Sequence, residues 1–334
     1  MKIGIYLNTQ ISPQNSLATQ IVDSIEQVKA ARDAGFDMIC TGEHFLSSPY
    51  QMASIFPFLG RLAAEANTMD VATAVNLLPL HNPIALAENI STMDAICEGR
   101  FILGIGLGYR SEEYQAFGVK PNERLGRMLE CLEIIKLLFT KDEVEYNGRY
   151  YNIPKTTSAT TTLAKPHPPI WVAANSINAI KRAASWGYSW LINPHATMAM
   201  ISQQMKIYKD VLIKSGLSTP KHIPLIRELY VSNSFQKAYT ESRPYLEGKY
   251  AAYASWGQDK ALPGNISFSI PFEDLAADRF LLGTPENIVN DIKRYNTELG
   301  INYPIFRMQW PGMAQEQIMN QINLMGKYVM PQIK

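Results

Sequence analysis

The 334-residue chain is 46% hydrophobic and 18% charged, the composition of a globular protein with ample material for a core. Its 31 lysines and arginines balance 30 aspartates and glutamates, which excludes a nucleic-acid or lipid-surface role resting on bulk charge. No apolar run of about 18 residues occurs, and the opening Met1-Lys-Ile-Gly-Ile-Tyr-Leu is too short for a signal peptide, so a cytoplasmic protein is expected.

In chain order, residues 2–7 form a short apolar run that ends in polar Asn8, Thr9 and Gln10. Residues 37–41 form the next, running into Gly42, Glu43 and His44. A third covers 71–78, followed by a helix that opens at Asn82-Pro83, a side-chain cap before a preset first turn, and stops before Gly99. Residues 101–106 lead into Gly104-x-Gly106-x-Gly108, and Ser111-Glu112-Glu113 starts a helix. Leu125, Met128, Leu129, Leu132, Ile135 and Leu138 then recur at helical spacing. Within 142–168, the Asn147-Gly148 pair between β-prone residues predicts a small hairpin.

Further runs at 170–173, 188–193, 223–231 and 303–310 bring the candidate strands to eight. Several are continuously apolar, as strands covered on both faces are. Between 247 and 283 no sustained period appears, so this stretch is expected to be a mobile lid over the site. Thr284-Pro285-Glu286 opens a last barrel helix that ends at Gly300. Alternating strands and helices predict a single α/β domain over 1–334, a (β/α)8 TIM barrel with insertions. Cys40, Cys97 and Cys131 lack Cys-x-x-Cys spacing and read as small core residues.

A barrel presents its chemistry at the carboxyl ends of its strands. His44 stands at such an end, where an imidazole can exchange protons near neutrality. The glycines at 104, 106 and 108 would let a ligand approach the backbone, although their spacing is not that of a dinucleotide fingerprint. Asn175 and Ser176 begin a helix, and read equally as a phosphate site and as an ordinary cap. Of the other histidines, His81 and His167 point to nothing, while His195 follows a strand and shares the rim. No metal-ligand spacing, Gly-x-Ser-x-Gly or Walker pattern is present.

Taken together, Ala34-Gly35-Phe36-Asp37, Glu43-His44-Phe45, Leu78 through Pro83, Asp94 through Tyr109, Ala116-Phe117-Gly118, Gly283 through Glu286 and Phe306 through Met313 resemble the bacterial luciferase-like flavin monooxygenase family. The resemblance implies a (β/α)8 barrel that uses reduced FMN and O2 to oxidise a small organic substrate. It also implies a separate NAD(P)H:flavin reductase and a homodimer. His44 becomes the expected catalytic residue beside the flavin ring. Ala74-Val75 falls where the family has a non-proline cis peptide beneath that ring.

Gly106, Leu107 and Tyr109 fall on the cofactor-contacting strand end, and Asn175 and Ser176 on the phosphate-binding helix start. The family's luciferases have an arginine where this chain has Leu107 and a glutamate where it has Asn175, which leaves nearby Arg110 or backbone donors to meet the phosphate. Tyr109, Trp190, Trp256 and Trp310 are candidate pocket walls, with Trp190 and Trp310 assigned to the substrate. The alternatives are a deazaflavin-dependent dehydrogenase or reductase on the same barrel and a non-catalytic flavin-binding protein.

Overall fold

The computed structural model describes residues 1–263 and 267–334, and each of the eight apolar runs contains a strand. In chain order the strands are β1 (Gly4–Tyr6), β2 (Met38–Thr41), β3 (Asp70–Thr73), β4 (Asn76–Leu77), β5 (Phe101–Gly106) and β6 (Glu143–Asn147). They continue as β7 (Asn152–Thr157), β8 (Ile170–Ala173), β9 (Ser189–Leu191), β10 (Pro224–Val231), β11 (Leu281–Gly283) and β12 (Tyr303–Arg307).

Among the described residues, nine strands pair in the order β11-β10-β12-β1-β2-β3-β5-β8-β9, and β4 adds to β5. All these pairings are parallel, and helices join the strands into a curled α/β fold. An isolated parallel bridge between Ile192 and Leu225 also links the end of β9 to β10, with two backbone hydrogen bonds of 3.0 Å. Every residue of β1, β2, β5, β9, β10 and β12 is buried, which is why those runs read as continuously apolar.

Side chains alternate between two apolar layers. Ile39 and Phe306 face the helices, while Met38, Cys40, Trp171, Tyr303 and Ile305 fill the concave side. There Trp171 and Tyr303 pack edge-to-face with centroids 5.4 Å apart. Towards the carboxyl ends of the strands this inner layer gives way to a cavity with polar residues in its wall. The three cysteines are free and buried.

The expected helices form with the expected ends. Asn82 caps Pro83–Ile96 by accepting from the Ile84 and Ala85 N–H groups at 2.9 and 3.3 Å. A reciprocal Thr284–Asn287 cap opens Pro285–Arg294, and the chain passes through one π-helical turn to left-handed Gly300. The 142–168 hairpin is β6 paired antiparallel with β7. Its turn is held from outside, by the Glu130 carboxylate accepting from the N–H groups of Arg149, Tyr150 and Tyr151 at 2.9, 2.9 and 3.1 Å.

Three expectations are corrected. The single run at 71–78 is two strands, β3 and β4, parted by a cis peptide between Ala74 and Val75. β11 adds a strand beyond the eight, and three residues are too few to show a period. The 247–283 stretch is not without a period from its start: residues 247–255 end a helix, Phe235–Ser255, whose buried face carries Lys249, Tyr250 and Tyr253. Aromatic and charged side chains on that face concealed its period. Residues 281–283 are β11, and residues 264–266 of the expected lid lie outside the described residues. No described helix is long and apolar enough to cross a membrane.

Candidate active site

A cavity of about 430 Å³ opens at the carboxyl ends of the strands. Its wall includes His44 after β2, Ala74 and Val75 after β3, Gly106, Leu107 and Tyr109 at the end of β5, and Asn175 and Ser176 after β8. Parallel pairing of β2, β3, β5 and β8 carries these separated segments to one rim.

His44 Nδ1 lies 2.9 Å from Glu113 Oε1, which also accepts the Phe45 N–H at 2.8 Å. With a carboxylate as its partner, Nδ1 is the donor of this pair, and Nε2 takes no part in it. Tyr109 meets the imidazole edge-on at 5.4 Å and Trp256 lies 6.0 Å away. Burial raises the Tyr109 phenol well above its ordinary pKa, so it remains a neutral donor at neutral pH.

Arg110 does not reach the cavity. Its guanidinium donates to the carbonyls of Phe45 and Leu46 at 2.7 and 3.0 Å and stands 3.6 Å from Glu113. It braces the loop that carries His44, which corrects its assignment to the phosphate. The neighbouring Glu43 is a structural tie, accepting from Leu77 N–H at 2.8 Å, with Asn76 Nδ2 at 3.1 Å and His81 Nε2 at 2.8 Å from the same oxygen.

The β5 glycines serve the bulge at Ala74-Val75 before they serve any ligand. A Cβ on Gly106 would come within 2.7 Å of Val75 Cγ2, and one on Gly104 would collide with the Thr73 carbonyl. Removing both side chains lets β5 lie against the cis peptide and frees Val75 for the cavity wall.

Ser176 caps Ile177–Ser185 by accepting the Ala179 N–H at 3.3 Å. Asn175 is fixed from below, its side-chain oxygen accepting from Asn193 at 2.9 Å and its carbonyl from Gln204 at 3.2 Å. Arg124 lines the same cavity and was missed in the sequence, because it begins the Arg124–Thr140 helix and no local motif marks it.

Trp190 and Trp310 are corrected as well. Trp190 is fully buried and donates to the Ala174 carbonyl at 2.8 Å; Trp310 is buried and donates to Glu228 Oε2 at 2.6 Å. Neither lines the cavity. Both spend the indole N–H in the core, as buried tryptophans usually do.

On the β10 and β12 side the wall includes Tyr6, Tyr253, His195 and Arg307. Behind them Glu228 pairs with Lys249 in close contact and stands 3.6 Å from Arg307. Burial and the Arg307 charge push Lys249 down to about 7 against the pull of Glu228. Burial would raise Glu228, but Lys249 and Arg307 outweigh it and hold the carboxyl below its ordinary value. Burial, then Lys249 and three arginines, keep His195 well below its usual value and therefore neutral. No cluster of three metal-ligating side chains occurs among the described residues.

Residues 1–303 match the model of the luciferase-like monooxygenase family. The chain belongs to that family. Luciferase-like monooxygenases incorporate oxygen, and this chain is accordingly an oxidoreductase of that kind. It is 25% identical to the oxygenase component of the flavin-dependent trigonelline monooxygenase of Acinetobacter baylyi, with 99% of this chain and 95% of that protein covered.

Two solved structures each superpose with a TM-score of 0.80 over 100% of this chain and 99% of theirs. One is the oxygenating constituent of 3,6-diketocamphane monooxygenase from Pseudomonas putida with FMN, 18% identical. The other is an F420-dependent secondary alcohol dehydrogenase with an F420-acetone adduct, 17% identical. Equal superposition on proteins with different cofactors means that the backbone does not choose between them.

Proposed function

We propose that this protein is the oxygenase component of a two-component monooxygenase, a homodimeric cytoplasmic enzyme that receives reduced FMN from a separate reductase. The bridge between β9 and β10 supports reading the curled sheet as a closed (β/α)8 barrel. The observation that carries the function is the convergence of His44, the Ala74–Val75 cis bulge, Leu107, Tyr109, Asn175 and Ser176 on one cavity.

The residues present fit a flavin phosphate at the cavity's β5–β8 side. The start of the Ile177–Ser185 helix faces the cavity with Ser176, Asn175 holds its amide there, and Arg124 adds a charge that replaces the missing arginine at Leu107. Leu77, Val75 and Leu107 provide an apolar bed for a flat ring. When bound, reduced flavin supplies two electrons, so that one atom of O2 enters the substrate and the other leaves as water.

His44 is positioned by Glu113 to hold or pass a proton at Nε2 as this occurs. Tyr109 and Trp256 flank its ring and exclude water on that side.

Ser176→Asp tests the phosphate assignment, since a carboxylate would face the phosphate where N–H dipoles now attract it. FMN affinity should fall about tenfold or more, with riboflavin affinity little changed. Equal weakening of both would reduce Asn175-Ser176 to a helix cap. Anaerobic titration with reduced FMN and reduced F420, followed by oxygen, tests the cofactor. Preference for F420 without oxygen consumption would instead support a dehydrogenase, the reading that the F420-dependent structure favours.

A further inference from the structure

Resting on the oxygenase reading above, we propose that the substrate carries a carboxylate or comparable oxyanion, which Arg307 binds across the cavity from Asn175-Ser176. Arg307 ends β12, lines the cavity and is only 6% exposed. Its guanidinium lies 3.8 Å over the Tyr6 ring, one terminal nitrogen donating to the Tyr253 hydroxyl at 3.3 Å. Its Nε has no hydrogen-bond partner among the described residues.

The charges around it do not cancel. Among the described residues, Glu228 is the one carboxylate within ion-pair distance of Arg307, and the same Glu228 oxygen is in close contact with Lys249. The other Glu228 oxygen takes the Trp310 N–H. Among the described residues, Arg227 and Arg279 stand behind the same wall with only carbonyls and a phenol as acceptors: Asn193, Ala196 and Tyr295 for Arg227, and His195, Asp274 and Leu275 for Arg279.

Glu43 and Glu113, on the far side, are already engaged by His81 and His44. A buried guanidinium with an idle donor and an excess of like charge behind it is an anion site. Thr9 adds a second unsatisfied group: its hydroxyl is buried, lines the cavity and has no partner among the described residues.

Strand order separates this site from the phosphate end. β12 and β8 are five pairings apart through β1, and the other route runs through β9, the Ile192–Leu225 bridge and β10. A flavin whose phosphate sits at Ser176 therefore leaves Arg307 for something else. A planar guanidinium with a free edge suits a carboxylate, which offers two oxygens in one plane.

Calorimetric titration with benzoate against benzamide, and acetate against acetamide, tests this with the protein alone and with anaerobic reduced FMN. At least one acid should bind tenfold or more tightly than its amide in both states. Arg307→Gln should abolish that preference while reduced FMN and riboflavin affinities stay within twofold, and Arg307→Lys should retain part of it. Should the Gln variant fail to fold, Arg307→Lys and Thr9→Val decide, each expected to weaken the acid at least threefold.

Acids that bind no better than their amides overturn the proposal. So does a preference that survives Arg307→Gln, or a loss of FMN affinity with riboflavin spared, which would make Arg307 a phosphate ligand. Equal loss of FMN and riboflavin would make it a ring ligand and also overturn it. Failure of FMN to bind the wild-type protein strikes the oxygenase reading alone, since the acid–amide comparison is also made without flavin.

Discussion

The two sides of the cavity handle charge in opposite ways. Beside His44, Glu113 Oε1 meets the imidazole, the Phe45 N–H and Arg110 at once, and the two terminal nitrogens of Arg110 donate to backbone carbonyls. Beside Arg307, a single carboxylate, Glu228, serves Lys249 and Arg307 together. The first arrangement fixes one ring and leaves its Nε2 outside the Glu113 pair; the second leaves positive charge facing the cavity. On the roles proposed above, one side handles a proton and the other binds an anion.

The largest effect should come from removing the carboxylate that the cationic side depends on. Glu228→Leu leaves the buried Arg307 guanidinium without its carboxylate, and Lys249, already at about 7, without the charge that helps it keep its proton; the fold should lose about 3–5 kcal/mol, read by urea denaturation. A loss below about 1 kcal/mol would mean that Lys249 and Arg307 find other compensation, and the contrast would collapse.

On the opposite side the damage should fall on turnover. His44→Ala should lower coupled product formation by about 10²-fold or more with an unchanged circular dichroism spectrum. An unfolded variant would make the histidine structural, and a fully active one would remove it from the chemistry.

Glu113→Gln should cost less, on the order of tenfold in kcat with flavin affinity unchanged, because an amide still accepts from Phe45 but orients the imidazole less firmly. A loss as large as that of His44→Ala would shift the proton-handling role onto the carboxylate.

The effect that is smallest at neutral pH belongs to neither side. Burial raises the Cys131 thiol to about 12 from an ordinary 9.0. Above pH 9 the unfolded chain loses this proton while the folded chain keeps it, so stability falls as pH rises through that window. The contribution is about 1.4 kcal/mol per pH unit. Cys131→Ala should flatten the slope above pH 9 and leave that between pH 6 and 8 unchanged; denaturation midpoints across pH measure it. An unchanged alkaline slope would mean that this thiol titrates alike in both states.

Much of this molecule is local and therefore legible in the chain. Buried parallel strands are covered on both faces, so their runs show as continuous apolar stretches, and caps such as Asn82 and Thr284 act within three or four residues. Most of the cavity wall was legible too, because each segment ends a strand and the parallel pairing brings strand ends to one rim. Tertiary packing decided what a residue's type leaves open. Trp190 and Trp310 became core, Arg110 turned to brace the His44 loop, and Arg124 reached the cavity from a helix whose start no motif marks. Glu228 and Lys249 lie on consecutive elements, 21 residues apart, but Arg307 lies on β12, and only the packing of all three around one wall gives their charges a common environment. A side chain's type fixes what it can bond, but its partners are chosen by long-range contacts that no window of sequence contains.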